Sequence, residues 1–301
     1  MTIRKALIVY FSQSGANGRV GEAISSGLQE RGYRVDTWNL KEGDPPDPLN
    51  YVLLGIGSPV YYYNVPVNVA HFLERLPSLS GIPAFVFLVH GTHRLDTANW
   101  VRRVLERKGA CEVGYFHCRG EAHVLALLRE GYLFSPDRPS RSELAEAKAF
   151  GHLVADHMAG KHYARPPFEI KPPLIYRIER FLGNRWLIEH FYSRMFKVDL
   201  SECIACGRFM KNCPTSNITQ DALGRRQWHR RCLACLSCEM KCPAEAIRSA
   251  LSRPVPGVLL RSVFRYNVRR WVREGELDYV RVVHRRGVTR RIGAMGNDQP
   301  A

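Results

Sequence analysis

Seven of the nine cysteines lie between residues 203 and 242, in two groups with short internal spacings. The second group, "CLACLSCEMKCP" at 232–243, is a complete C-x2-C-x2-C-x3-C-P run. The first, "CIACGRFMKNCP" at 203–214, has the same outline with Phe209 in place of the third cysteine. Thiolates are soft ligands, and cysteines this close together gather soft metals or iron–sulfur clusters. Disulfides are the weaker reading: the N-terminus "MTIRKALIVYFSQSG" has a brief apolar run but no small-residue cleavage site, which leads us to expect a cytoplasmic protein with reduced thiols. Compared with itself at an offset of 29 residues, the chain matches Cys203 with Cys232, Cys206 with Cys235, Cys213 with Cys242, Pro214 with Pro243 and Ile218 with Ile247. Phe209 falls opposite Cys238. A tetrahedral four-cysteine zinc site is the rival, but it leaves three cysteines and both Cys-Pro steps unexplained.

The spacing resembles that of bacterial two-cluster ferredoxins, over about residues 197–248. In that family the fourth cysteine of each motif ligates the other motif's cluster. Carried over, the resemblance implies one complete [4Fe-4S] site of Cys213, Cys232, Cys235 and Cys238. It also implies a second site of Cys203, Cys206 and Cys242, with Phe209 in the fourth place. Three readings of the second site stay open: a [3Fe-4S] cluster, a [4Fe-4S] cluster with one open or exogenously liganded iron, or an apolar site filled by Phe209 and empty of metal.

The first half carries a different pattern. "IRKALIVYF" (3–11) is a short apolar run suited to a central parallel strand, and "SQSGANG" follows it. Then comes an amphipathic stretch with Val20, Ala23, Ile24 and Leu28 on one helical face. Strand, small-residue loop and helix make an anion cradle, because backbone N–H groups and the helix N-terminus carry partial positive charge. Neither the Rossmann glycine pattern nor the Walker lysine is present. Further strands are expected at 33–38, 51–59, 83–89 and 111–118, with helices between them and a closing helix over 140–159. We therefore expect an α/β fold, a doubly wound five-stranded parallel sheet, followed by a small α+β iron–sulfur domain. Cys111 and Cys118 are expected as buried strand residues.

In open parallel sheets ligands bind at the carboxyl ends of the strands, at the switch point. Three loops meet that description: 12–17, 58–64 with its three consecutive tyrosines, and 90–96. "YFSQSGAN" and "GSPVYYYNVP" resemble the phosphate loop and a ring-flanking loop of flavodoxins; "HGTHRLD" is similar in position, more loosely in sequence. Asn17 stands where that family usually has Ser or Thr. The resemblance implies FMN held by Ser12, Gln13, Ser14, Gly15 and Asn17, with Ser58, Pro59, Val60, Tyr61, Gly91 and Thr92 around the ring. No side chain stands out as a catalytic acid or base, although His90 and His93 lie near the expected ring edge.

These features set the organisation: a flavodoxin-like domain at 1–164, a connector at 165–196, a two-cluster-type ferredoxin domain at 197–249 and a basic extension at 250–301. The connector opens with "RPPFEIKPP", which cannot continue a helix. It then shows apolar residues at helical spacing, Leu174, Ile178, Phe181 and Leu182, interleaved with arginines. We expect this stripe to pack one domain onto the other; a basic helix lying on a membrane is the alternative. The net charge of +16 is uneven: 19 Lys+Arg face 16 Asp+Glu in 1–167, and 25 face 12 beyond. No nucleic-acid motif accompanies it, so an acidic redox partner protein is the expected counterpart. Together the modules resemble flavodoxin–ferredoxin fusion proteins, which implies electron transfer between FMN and the clusters. An FMN-dependent reductase of a small molecule and a redox or iron sensor are the alternatives.

Overall fold

The computed structural model describes residues 4–123, 131–222, 224–249, 262, 266, 268–273 and 277–292. The chain divides into two compact units, Met1–Gly120 with Asp137–Gly183 and Glu121–Pro136 with Asn184–Ala301.

The first unit alternates strands and helices. Its strands are β1 (Arg4–Tyr10), β2 (Tyr33–Asn39), β3 (Leu53–Pro59), β4 (Pro83–His90) and β5 (Cys111–Arg119). They form one sheet in the order β2-β1-β3-β4-β5, with every pair parallel. The inner strands are apolar runs because both faces are covered; Ala6, Leu7, Ile8 and Val9 are all at most 1% exposed. Helix α1 (Ala16–Glu30) and α4 (Arg141–Met158) share one core with the sheet, through Val20, Ile24 and Leu28 on one side and Ala147, Phe150 and Val154 on the other. Helices α2 (Val67–Arg75) and α3 (Thr97–Arg107) touch each other. Ser140 caps α4: its hydroxyl accepts from the Glu143 N–H, and the Glu143 carboxylate accepts from the Ser140 N–H, a complete capping box. The chain runs from β1 outward to β2 and returns on the other side as β3, so the switch point lies between the ends of β1 and β3. Cys118 is buried as expected, but Cys111 is exposed, because it opens the edge strand β5.

The last helix of this unit, α5 (Leu174–Leu182), corrects the expectation for the connector. Leu174, Ile178 and Phe181 are 67%, 50% and 67% exposed, whereas Tyr176 is buried. The helix is therefore held by the face that carries Tyr176, while Leu174, Ile178 and Phe181 of the predicted stripe stay half or more exposed. A nine-residue helix reaches neighbours with few side chains, and one large ring in a pocket sets its orientation.

In the second unit the 29-residue repeat is written into the backbone. β7 (Lys197–Val198), the one-turn α7 (Arg208–Lys211) and β8 (Ile218–Gln220) recur as β9 (Arg226–Trp228), α8 (Ser237–Met240) and β10 (Ile247–Arg248), after the short helix α6 (Arg185–His190). Left-handed residues recur too: Ala205 with Ala234, Gly207 with Leu236, and Ser216 with Glu245. The pairing is crossed. β7 pairs antiparallel with β10, and β8 with β9, so each repeat's first strand joins the other repeat's last strand. β11 (Tyr279–Arg285) and β12 (Val288–Arg291) form a hairpin whose turn residues Arg286 and Gly287 both have positive φ. β6 (Tyr132–Phe134) pairs antiparallel with β11, so the chain leaves the first unit after β5 to lend a strand to the second.

Candidate functional site

The loop after β1 forms an open cradle. Gly15 has φ +94°, and a Cβ built on it meets nothing within 4 Å. Helix α1 starts at Ala16 with no side chain capping it, so its first N–H groups are available to an anion. Ser12 Oγ and Asn17 Oδ1 are buried with no hydrogen-bond partner. Buried polar atoms normally have partners, so two such atoms beside an uncapped helix suit an anion such as a phosphate group. Ser14 is exposed at the tip. Gln13 is joined to the next loop: its Oε1 accepts from Tyr61 O–H at 2.5 Å. Sequence reasoning missed Lys41, whose Nζ donates to Gln13 O at 3.2 Å and brings a cation to the cradle. The signal was weak, since Lys41 lies beyond β2.

The second loop is a tight hairpin. Tyr61 and Asn64 exchange both backbone hydrogen bonds at 2.8 Å, and Tyr62 and Tyr63 between them have φ 51° and 58°. Two consecutive left-handed tyrosines replace the Asn-Gly that such a turn prefers, at a cost of order 1–3 kcal/mol for each strained residue. Ser58 is fully buried and its hydroxyl donates to Pro59 O, so it faces the protein and not the loop's outer surface. Val60 N–H donates to Val89 O, which fixes the loop against the end of β4. Thr97 Oγ1 donates to Tyr63 O at 3.0 Å and ties this loop to the third. Gly91 and Thr92 are half-buried there, and Thr92 O lies 2.8 Å from His90 Nδ1.

Helix α5 is fastened across both loops. Tyr176 stands edge-on to Tyr63 and to His93, at ring centroids of 5.4 Å and 5.8 Å. Arg180 pairs with Asp96. Gly183 follows the helix against Tyr62, leaving no room for a side chain: a Cβ there would lie 2.3 Å from that of Tyr62. These contacts were not legible in the sequence, because nothing local links residues 176–183 to 61–64. Gly183→Ala is therefore expected to push α5 off the Tyr62–Tyr63 turn, lower thermal stability and raise the proteolytic sensitivity of the connector. Unchanged cleavage rates in limited proteolysis would count against this packing.

Beside the third loop, His90 and His117 have ring centroids 5.7 Å apart. Burial pulls both down to about 4; repulsion from His117, Arg94 and Arg119 adds to this at His90, and from Arg94 at His117. Both are neutral imidazoles at pH 7.

In the second unit the cysteines fall into two sets. Cys232, Cys235 and Cys238 are pushed up, foremost by burial, Cys232 to about 11 and Cys235 to about 12. The charge of Cys213 raises all three further, Cys232 raises Cys235 and Cys238, and Cys235 raises Cys238. These four thiols are thus electrostatic neighbours. Asn217 N–H points at Cys213 Sγ at 3.3 Å and Ala234 N–H at Cys232 Sγ at 3.4 Å. Cys203, Cys206 and Cys242 line a separate, small cavity of about 10 Å³ together with Phe209. Among the described residues, no group of three or more His, Cys, Asp or Glu side chains is placed to hold a metal ion.

The first unit is a doubly wound α/β domain with an anion cradle at its switch point. A family model described as a flavodoxin domain matches residues 7–122, and with the sheet order it makes the N-terminal half a flavodoxin-like domain. Such a domain supports FMN as ligand and electron transfer as function. An uncharacterised protein of Methanocaldococcus jannaschii is 27% identical over 153 residues, which span 50% of this chain and 97% of that protein. Among solved structures, oxidised flavodoxin 1 of Bacillus cereus is 16% identical, with a TM-score of 0.40 over 51% of this chain and 98% of that one. The two-electron reduced flavodoxin of Megasphaera elsdenii is 19% identical, with a TM-score of 0.40 over 50% and 98%. Among the described residues no helix is long and apolar enough to cross a membrane.

Proposed function

We propose that the chain is an iron–sulfur flavoprotein of the cytoplasm. In this reading the first unit binds FMN, the second holds a [4Fe-4S] cluster on Cys213, Cys232, Cys235 and Cys238, and electrons pass between them and an acidic redox partner. The observation that carries it is the crossed pairing of β7 with β10 and β8 with β9. In that crossing Cys213 of the first repeat would join the three cysteines of the second, and its charge adds to the upward push on their thiols. Soft thiolates with backbone N–H groups aimed at sulfur suit an iron–sulfur cluster. A flavin exchanges one or two electrons and a cluster one, so the pair converts between the two regimes. The sequence-derived boundaries at 164, 196 and 249 remain our proposal for where the modules divide. His90 does not favour the small-molecule reductase, since it is buried and already bonded to the Thr92 carbonyl.

Anaerobic reconstitution tests the proposal, with iron and flavin counted per chain and cluster-to-flavin transfer followed by stopped flow. Cys235→Ser should remove about four irons while FMN binding survives. A protein that takes up FMN but no iron would sink the iron–sulfur half. Partner reduction should slow as salt rises, because long-range attraction is screened beyond a Debye length of about 8 Å at physiological ionic strength.

The cradle makes a prediction with opposite signs. Ser12→Ala removes a buried orphan hydroxyl, so the FMN-free protein should melt no lower, and by up to about 1–3 kcal/mol more stably. The same change deletes a hydrogen bond to a charged phosphate, so FMN affinity should fall about tenfold to a hundredfold. Calorimetric titration with FMN and melting without it check both. Equal loss in the two measurements would mean that Ser12 Oγ serves the fold alone.

A further inference from the structure

Between residues 279 and 292 stand five arginines and no Asp or Glu. These residues make the hairpin β11–β12, which joins β6 in a sheet of order β12-β11-β6. The inner face of that sheet is apolar: Leu133, Val280 and Val282 are buried and pack against Met240 of α8. The turn is pinned as well, since Arg286 N–H donates to the Glu245 carboxylate at 2.6 Å. Register sets the outer face. Val283 stands opposite Arg290 and Arg285 opposite Val288, and Ile292 N–H donates to Arg281 O, which continues the ladder. Side chains directly opposite in an antiparallel pair share a face. Each rung of the outer face therefore carries one arginine and one aliphatic side chain, and the arginine changes strand at every rung. All six are exposed, Val283, Val288 and Ile292 by 42%, 53% and 64%.

We propose that this outer face docks a partner protein whose own surface sets carboxylates among aliphatic side chains. Charge complementarity carries the choice. Among the described residues no carboxylate pairs with Arg285 or Arg290, so their charge is left for an outside counterpart. Arginines on an edge strand can serve only to block self-pairing, but Arg281 and Arg285 lie on β11, the central strand, which has no edge to protect. Arg281 is held in place, its guanidinium 4.6 Å over the Tyr132 ring. Arginine mixed with apolar side chains is the composition of protein interfaces. Bases would need bare rings to stack on, whereas Tyr132 and Tyr279 are half-buried against each other at 5.2 Å. A partner seated here would stand one sheet layer, about 10 Å, from α8, which carries Cys238. The inference rests on the proposed acidic redox partner and names the face that receives it.

Fluorescence anisotropy of the full chain with a labelled peptide of alternating Glu and Val tests it, over a range of salt. Wild type should bind the peptide, and less tightly as salt rises. Arg285→Glu and Arg290→Glu should each weaken binding about tenfold. Arg285→Gln, which removes the charge without reversing it, should give a smaller loss in the same direction. Arg34→Glu is the control: it changes the net charge by the same amount at an exposed position of β2 and should leave binding near wild type. Val288→Ser should weaken binding without altering its dependence on salt, because it removes only apolar contact. Equal losses in Arg34→Glu and Arg285→Glu would overturn this face as the dock while an acidic partner stands. No effect of Val288→Ser would overturn the mixed surface. A single-stranded oligonucleotide or phosphatidylserine vesicles, bound more tightly than the peptide and released by Arg285→Glu, would give the face to a nucleic acid or a membrane and overturn the inference. No binding of the peptide to wild type at low salt would bring down the acidic partner itself, and this inference with it.

Discussion

Replacing Gly27 by alanine should lower the stability of the first unit by about 2–3 kcal/mol, a fall of roughly 5–10 °C in Tm for a domain of this size. Helices α1 and α4 meet backbone to backbone at two glycines. A Cβ on Gly27 would lie 2.1 Å from Lys148 O, and one on Gly151 would lie 2.3 Å from Ile24 O. Both obstacles are main chain, so no rotamer change relieves them and the helices must part. Parting strips Ile24 and Leu28 from Phe150 and Val154 in the shared core. The intrinsic helix preference for alanine over glycine, about 1 kcal/mol, offsets only part of this. Gly21→Ala is the control: its Cβ would meet the rings of Phe87 and Tyr10 at 3.5 Å and 3.6 Å, ordinary contact, so it should melt no lower than wild type. Because α1 also presents the anion cradle, Gly27→Ala should weaken FMN binding as well. Thermal melts of the two variants that coincided would refute the close approach.

Acid should destabilise the first unit between about pH 6.5 and pH 4, through His90 and His117. Both have folded values near 4, below the ordinary histidine value, chiefly because burial disfavours the imidazolium. The unfolded chain therefore binds more protons than the folded one across that window. Stability is complete above about 6.5 and is lost as pH falls toward 4. For His90, which is 8% exposed, a shift of this size corresponds to something on the order of 3 kcal/mol. His117 is only half-buried, so solvent screening makes its share smaller. Arg94 and Arg119 repel a protonated ring and Glu169 is engaged by Tyr115 and Arg94; the Thr92 carbonyl bonded to His90 Nδ1 pulls the other way, and burial outweighs it. Glu143 marks a separate window. Its hydrogen bonds with Ser140 and Arg138 outweigh burial and hold it below the usual carboxylate value, so the stability it adds is lost only as pH falls below about 4.5. Urea melts at steps from pH 7.5 to 4 should show the His90→Gln variant losing less stability above pH 4.5 than wild type. Parallel curves would assign the acid loss to carboxylates.

Much of the fold was legible in the chain. Continuous apolar runs mark β1, β3 and β4, because a strand covered on both faces has no polar side to alternate with. "SQSG" after β1 and Ser140 with Glu143 before α4 marked helix starts, since these signals act within one turn. Edge and connector were harder. Cys111 sits in a sequence that alternates like a buried strand, yet it lies at an open edge, a fact set by the number and order of strands. Leu174, Ile178 and Phe181 read as a packing face, yet Tyr176 does the packing, because the receiving surface is made by Tyr63 and His93, far earlier in the chain.

By itself the sequence determined the covalent spacings: the 29-residue repeat, seven clustered thiols, the glycine and serine loop, and the alternation that builds a parallel sheet. Each is a property of neighbours along the chain. Tertiary structure alone decided which strand of one repeat joins which of the other, that Phe209 is buried beside Cys203, Cys206 and Cys242, and that α5 lies across the two loops expected to flank the ring. Those outcomes depend on contacts between distant residues, where shape and burial select one arrangement among the many that the same local pattern allows.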